Sequence, residues 1–323
     1  MSTYLITGGA GFIGSHLAES LLEDGHKVIA VDNMSTGSSD NLATFHDQPN
    51  FELVIDSIMN VDLMSELVER ADYIFHLAAV VGVKRVLESP IRTIQSIVQG
   101  TDIILELASQ KNKIIFIAST SEVYGKSTAL PFAEAGDVVL GGTCKGRWSY
   151  ACAKAIDEFL ALAYHRERQL SVVVGRHFNT VGPRQSARYG MVLPRFIAQA
   201  VSGQPVTVYG DGLQQRCFCH VQDVVWSIKR LIRAPESYGK VFNVGSCEEI
   251  SIIDLARLVK KRTRSESEIV YVPYDTAYQD DNFEDMPRRI PDLHRLHAMV
   301  GCKPLVRLEQ IIDQMAEHHL AHA

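Results

Sequence analysis

The sequence contains no run of about 20 apolar residues, so no segment reads as a membrane-spanning helix. Basic charge is not in surplus: 32 Lys and Arg against 38 Asp and Glu leave a formal net charge of −6. Such a chain lacks the positive field that nucleic acid or an anionic lipid surface requires, so neither is an expected partner. Cysteine is sparse, and Cys144, Cys152, Cys217, Cys219, Cys247 and Cys302 show no metal-ligand spacing. No metal is expected, and reduced thiols point to the cytoplasm. The first strand pattern begins at Tyr4, which leaves no room for a secretory leader. Internal repeats and low-complexity linkers are missing as well. His318, His319 and His322 read as the frayed end of a helix and receive no function. A small-molecule partner is the expectation that survives.

What the chain does have is length and apolar content: 323 residues, 46% of them hydrophobic, suffice for one large or two modest domains. Short apolar runs at 4–7, 28–32, 51–55, 73–79, 114–119 and 172–178 alternate with helix-period segments such as 15–25 and 101–110. Strands this apolar are buried on both faces, and helical crossovers between them build a doubly wound parallel α/β sheet. Beyond residue 178 the pattern turns irregular, and 180–190 and 271–289 read as long functional loops. Residues 1–177 are expected to form one domain, rejoined by residues near 214–246. Residues 178–323 are expected to form a smaller α/β substrate-binding region at the C-terminal side.

The first strand runs into Gly8, Gly11 and Gly14, a helix follows, and Asp32 ends the next strand. The glycines permit a tight turn, close approach of backbone N–H groups to a pyrophosphate and close helix–strand packing. Asp32 can accept from both ribose hydroxyls, and its charge would repel a 2′-phosphate. The expected cofactor is therefore NAD rather than NADP. Glycine spacing alone is weak evidence, since any tight turn needs small residues; the strand before, the helix after and the acid at the right distance make it specific.

In "SYACAK" (149–154), Tyr150 and Lys154 stand one helical turn apart on one face. A phenol, with an unperturbed pKa of about 10, is a poor base at neutral pH unless a nearby cation favours its anion. Such a pair is most often a surface contact. Behind a nucleotide-binding unit it reads as a proton-transfer device.

"TGGAGFIG" (7–14), "STSEVYG" (119–125), "SYACAK", "RHFNTVGPR" (176–184), "VYGDGLQQRCF" (208–218) and "RRIPD" (288–292) follow one another in a familiar order. In that order the chain resembles, over essentially its whole length, the extended short-chain dehydrogenase/reductases that act on nucleotide sugars. The resemblance is to the epimerase/dehydratase family, and within it to UDP-glucuronic acid decarboxylases. It implies a Rossmann-type domain holding NAD, with Phe12, Ile13, Asn33, Asp56, Leu77, Ala78, Ala79 and Lys84 lining the site beside the glycines and Asp32. It implies that Tyr150 takes a proton from a sugar hydroxyl as hydride leaves C4, that Lys154 lowers the tyrosine pKa and holds the nicotinamide ribose, and that Thr120 bonds the reacting oxygen. Ile97 departs from the family, which usually carries asparagine there.

A ketone at C4 acidifies C5 and makes a C6 carboxylate a β-keto acid, so neighbouring side chains decide among epimerisation, dehydration and decarboxylation. The family's dehydratases read Thr-Asp-Glu where this chain reads Thr120-Ser121-Glu122, so the acid for a leaving hydroxyl is missing. Glu122 is surplus to simple epimerisation. It either takes part in the chemistry or orients its neighbours; beside a substrate carboxylate it repels unless one group is protonated or a cation intervenes. That repulsion is one conceivable drive for loss of CO2. Arg216 either stabilises the enolate, steers a proton to C5, or binds diphosphate. By resemblance, Asn179, Arg195, Tyr209, Arg216 and Arg289 grip the UDP moiety, arginine being suited to phosphate by its planar fork; whether Arg288 or Arg289 points inward is open.

The helix of Tyr150 and the one near 101–110 resemble the pair through which the family forms homodimers by a four-helix bundle, although their apolar faces could instead pack internally. The leading expectation is an NAD-dependent enzyme converting UDP-glucuronic acid to UDP-xylose. A UDP-sugar or UDP-uronic acid 4-epimerase is the alternative and a 4,6-dehydratase the third. A non-catalytic NAD-binding regulator on the same fold is the reading from a different class.

Overall fold

The structure, a computed structural model, describes residues 1–79, 89–187, 191–278, 284–302 and 305–322. Its centre is a seven-stranded parallel sheet. Six strands come from the first half of the chain: β1 (Thr3–Thr7), β2 (Lys27–Asp32), β3 (Phe51–Ile55), β4 (Tyr73–His76), β5 (Ile114–Thr120) and β6 (Ser171–His177). The seventh is Lys240–Val244. The spatial order is Lys240–Val244, β6, β5, β4, β1, β2, β3, so the direction of strand addition reverses between β1 and β4. At such a switch point the loops above the strand ends part, and a crevice opens there.

Alternate residues of each strand enter cores on opposite faces, as period-two side-chain geometry demands. Tyr4 and Ile6 of β1 pack with Leu17 and Leu21 of α1 (Phe12–Glu23) on one face. Leu5 packs on the other with Met64 and Leu67 of α2 (Val61–Arg70), Ile104 and Leu105 of α3 (Pro90–Gln110) and Ala161 of α4 (Trp148–Arg168). Burying a large apolar side chain fully contributes roughly 1.5–3 kcal/mol, so this double coverage makes the sheet the rigid base of the molecule. A separate core gathers Phe196, Val208, Leu255 and Ile312 from elements after residue 178.

Three boundaries differ from the sequence expectation. β4 stops at His76 rather than running to 79: the Leu77 N–H makes the last ladder bond, to the Thr7 carbonyl at 3.1 Å, and the Ala78 N–H goes instead to the Thr7 side-chain hydroxyl at 3.2 Å. The helix expected at 101–110 begins at Pro90, whose fixed φ suits a first helical turn. The long loop 271–289 holds paired strand: Ile269–Val272 lies parallel to Val206–Tyr209, and Arg288–Arg289 lies beside Gln215–Arg216. Strands of two to four residues are too short for periodicity to announce them. No helix among the described residues is long and apolar enough to cross a membrane.

Two buried groups fix α4 against the sheet through Glu158. Arg176 of β6 grips Glu158 of α4 with Nε–Oε1 at 2.9 Å and Nη2–Oε2 at 2.7 Å, while the Ser119 hydroxyl of β5 donates to the same carboxylate. Removing one partner of such a pair leaves an uncompensated buried charge, at a cost of about 3–5 kcal/mol.

Candidate active site

β1 delivers the chain into Gly8, whose φ of +74° lies in the left-handed region that glycine alone enters freely. A Cβ on Gly8 would stand 2.9 Å from the Ala78 nitrogen, and one on Gly14 would stand 2.2 Å from the Gly8 carbonyl oxygen. The glycines thus let β1, the start of α1 and the Leu77–Ala79 turn approach one another. Gly11 caps α1 without a side-chain bond, and the first turn carries no acid of its own, so the positive end of the helix faces the cleft with Asp32 beside it.

Asp32 is buried at the tip of β2, accepting from the Ala10 N–H at 3.0 Å and the Met34 N–H at 2.8 Å. Burial pushes its carboxyl above the ordinary range, opposed by the N–H groups of Met34, Ala10 and Gly11. Asp32 lines the cleft. Asp56 accepts from the Ser57 N–H at 2.6 Å and the Asn60 amide at 3.0 Å. A glycine cradle, a helix N-terminus and an acid at the end of β2 fit a dinucleotide pyrophosphate and ribose. Asn33, Phe12, Ile13, Leu77, Ala78 and Ala79 line the same wall. Lys84 lies outside the described residues.

Across the switch point, β5 ends in Thr120, which caps the short turn Ser121–Tyr124 by accepting from the Glu122 N–H at 3.2 Å. That turn brings Thr120, Ser121 and Glu122 to the cleft, and α4 brings Tyr150 and Lys154. Burial, reinforced by Glu122 and Asp157 and opposed by the neighbouring Thr120 hydroxyl, holds the pKa of the Tyr150 phenol well above the ordinary value. Here the structure departs from the sequence expectation. Lys154 was expected to lower the tyrosine pKa, but its ammonium sits 2.8 Å from the Asp157 carboxylate, which offsets that charge.

Glu122 closes one end of a charge cluster. Its Oε1 accepts from Arg289 at 2.7 Å and its Oε2 from Arg147 at 3.3 Å. Arg147 also reaches Asp285 at 3.2 Å, and Arg216 meets the same carboxylate oxygen at 2.8 Å. Burial pushes the Glu122 carboxyl up, but Arg289 and Arg147 overcome it and hold the group below the usual range. Burial and Arg289 bring Arg216 down to about 10, so it stays cationic at neutral pH. Among the described residues, three guanidiniums against two carboxylates leave one net positive charge, and cations stand at both oxygens of Glu122.

The question between Arg288 and Arg289 is settled by strand alternation. Arg288 turns outward, pairing with Glu249 through two contacts of 2.8 Å, while Arg289 turns into the cleft. Asn179, with φ of +35°, donates to the Cys217 carbonyl at 2.7 Å. Arg195 Cζ lies over the Tyr209 ring, 3.7 Å from its centroid, and the guanidinium donates to the Thr207 carbonyl at 3.0 Å, an arrangement that orients it.

One cleft of about 510 Å³ runs from the glycine loop to the arginine cluster, and every expected site residue among the described residues lines it. Sequence reasoning missed Arg147, Asp285 and Tyr274, whose hydroxyl donates to Asp285 at 3.2 Å. Arg147 stands two residues before "SYACAK", and its local pattern gives no sign of carboxylate partners elsewhere in the chain. Asp285 and Tyr274 carried no signal beyond membership of a long polar loop.

A model of the GDP-mannose 4,6 dehydratase family matches residues 5–315 of the chain. The chain is 43% identical over 311 residues to a UDP-N-acetyl-alpha-D-glucosaminuronate decarboxylase of Bacillus cytotoxicus, covering 95% of this chain and 94% of the relative. It is 37% identical to UDP-glucuronic acid decarboxylase 1 of Xenopus tropicalis, over 96% of this chain and 70% of that one. Among solved structures, a dTDP-glucose 4,6-dehydratase of Bacillus anthracis in complex with NAD is similar with a TM-score of 0.87 at 26% identity, covering 99% of this chain and 97% of that chain. The glycine cradle, the Tyr150–Lys154 helix and these matches together place the chain in the GDP-mannose 4,6 dehydratase family, within the extended short-chain dehydrogenase/reductases.

Proposed function

We propose that the protein decarboxylates a UDP-uronic acid through a 4-keto intermediate and reduces the product to a UDP-pentose, UDP-glucuronic acid giving UDP-xylose. The observation that carries this reading is the cluster around Glu122: a buried wall with net positive charge, beside Tyr150, suits a carboxylate at C6 of the sugar. The names of the curated relatives, which are uronic acid decarboxylases, support it.

The cofactor is NAD, held by the glycine cradle and Asp32 and supplying reversible hydride acceptance at the sugar C4. Tyr150 removes the C4 hydroxyl proton, with Thr120 bonded to the same centre. Arg147 and Arg289 receive the carboxylate until the β-keto acid sheds CO2, and Arg216 stabilises the resulting enolate. Glu122, ionised, keeps two of these guanidiniums in place. Ser121 offers no acid for a leaving hydroxyl, which disfavours dehydration. Asn179, Arg195 and Tyr209 bind the UDP moiety. Residues 1–177, with the part near 214–246, form the NAD domain, and 178–323 the sugar-nucleotide domain.

We also propose a cytoplasmic homodimer. α3 exposes Ile91 and Ile94, and α4 exposes Ile156 and Phe159, the last 70% accessible. Residues three apart share one helix face, so these form an apolar surface suited to a second copy. Sedimentation of Phe159→Asp should give a monomer.

The deciding experiment incubates the protein with NAD and either UDP-glucuronic acid or its 2-acetamido analogue, followed by mass spectrometry. Loss of the mass of CO2 from either is the expected outcome. Unchanged mass with a new retention time replaces the reading by epimerisation, loss of water replaces it by dehydration, and no reaction with any nucleotide sugar points to a regulator.

A further inference from the structure

The catalytic lysine is not alone in its pocket. Lys154 is 3% exposed and Asp157, three residues on along α4, is 0% exposed, with Nζ and Oδ2 2.8 Å apart. A buried ammonium is strongly unfavourable unless paired, so whichever anion lies beneath it governs how much charge it presents to the phenol above.

The other groups around it are already committed or neutral. Glu158 of α4 is held by Arg176 of β6. Glu122 is held by Arg289 and by Arg147, at the start of α4. His76 at the end of β4 is driven by burial, and further by Lys154, to about 3, and His177 at the end of β6 by the same causes to about 4, so both are uncharged at neutral pH. α3 contributes the Thr101 hydroxyl, which is uncharged and meets His76 Nε2 at 3.3 Å. Ile97, buried in α3 where the family resemblance leads one to expect asparagine, brings no polar side-chain atom. Among the described residues, Asp157 is the carboxylate left to balance Lys154.

We infer that Asp157 is a positioning residue for the Tyr150–Lys154 pair: its buried carboxylate fixes the ammonium and offsets its charge, so that Tyr150 keeps its proton in the protein alone. Asp157 touches no substrate; it acts through Lys154. The direction of the Tyr150 shift agrees, since Asp157 is among the groups that raise it. Burial also lifts the Asp157 carboxyl, against the pull of Lys154 and Thr101. The chain thus carries a built-in counterweight to the device expected from its sequence.

The inference rests on the proton-transfer role given to Tyr150 above, and its test separates the two. Tyrosinate absorbance is titrated in the full-length wild type, Asp157→Asn and Asp157→Ser, each minus the same protein carrying Tyr150→Phe, which isolates the one phenol without any turnover. In the neutral variants Tyr150 should ionise at lower pH than in the wild type, and the acid limb of the kcat/KM profile should move the same way by about one pH unit. Asp157→Glu, which keeps the charge, should retain the wild-type limb even with a lower kcat, and it serves where the neutral variants do not fold. Neutral variants with unchanged tyrosine titration and limb, or a glutamate variant shifted toward acid, overturn the inference. A wild type inactive on every nucleotide sugar removes the reading of function while the titration still decides the role of Asp157.

Discussion

At the dinucleotide end of the cleft, Gly8, Gly11, Gly14 and Asp32 belong to one strand–turn–helix–strand unit spanning Thr3–Asp32. At the sugar end, Glu122, Arg147, Arg216, Asp285 and Arg289 come from four separate stretches of the chain, brought together by ion pairs and by the pairing of Arg289 with Arg216 in adjacent short strands. The first end is shaped by backbone: close approach at glycines, N–H groups and a helix dipole. The second is shaped by side-chain charge. A backbone cradle tolerates almost no added volume, whereas a charge cluster tolerates changes of shape but not of charge balance. The two ends should therefore fail differently.

The largest effect separates chemistry from both kinds of binding. Tyr150→Phe should lower turnover by about a thousandfold, the scale of a lost acid–base catalyst. Isothermal titration should show NAD and UDP-sugar affinities within severalfold of the wild type. Loss of NAD binding in that variant would erase the distinction between the reacting centre and the cradle.

Gly14→Ala should act at the cradle alone. Its methyl group would press on the Gly8 carbonyl, and overpacking on the order of 1–3 kcal/mol corresponds to a loss of NAD affinity of up to about a hundredfold. UDP affinity, measured in parallel, should remain unchanged.

Arg147→Leu should act at the other end. It removes the surplus positive charge and leaves Glu122 with one cation, so binding of a UDP-uronic acid should weaken by about thirtyfold while a UDP-hexose, lacking the carboxylate, changes much less. Equal losses for both ligands would show that the cluster serves diphosphate rather than carboxylate. Arg288→Ala, on the outward side of the same short strand, should change stability by less than about 0.5 kcal/mol in thermal denaturation and leave turnover intact. A large loss there would mean that strand alternation does not assign the inward role to Arg289.

The same contrast explains how much of the molecule was readable beforehand. Strand period and apolar run length placed β1, β2, β5 and β6 within a residue or so, because a strand buried on both faces must be apolar throughout. β3 was placed as well, but as the edge strand it is not buried on both faces as its apolar run suggested. The glycine loop was legible because its physics is local. The end of β4 at His76 was not, since it depends on the Thr7 hydroxyl of a neighbouring strand. Arg147 and Asp285 escaped for a related reason: an ion pair between residues 138 positions apart leaves no periodic trace in the chain. Lys154 was identified as a residue but not in its surroundings. Its spacing from Tyr150 was visible, yet Asp157 looked like any polar residue of a helix until burial showed which way it faced.

By itself the sequence determined the parallel α/β layering, the dinucleotide cradle and the presence of a tyrosine–lysine pair, all consequences of local periodicity and backbone sterics. Tertiary structure alone decided the charge of the sugar wall, the inward choice of Arg289 and the carboxylate beneath Lys154. Electrostatic energy depends on distance and burial in space, and neither is a function of position along the chain.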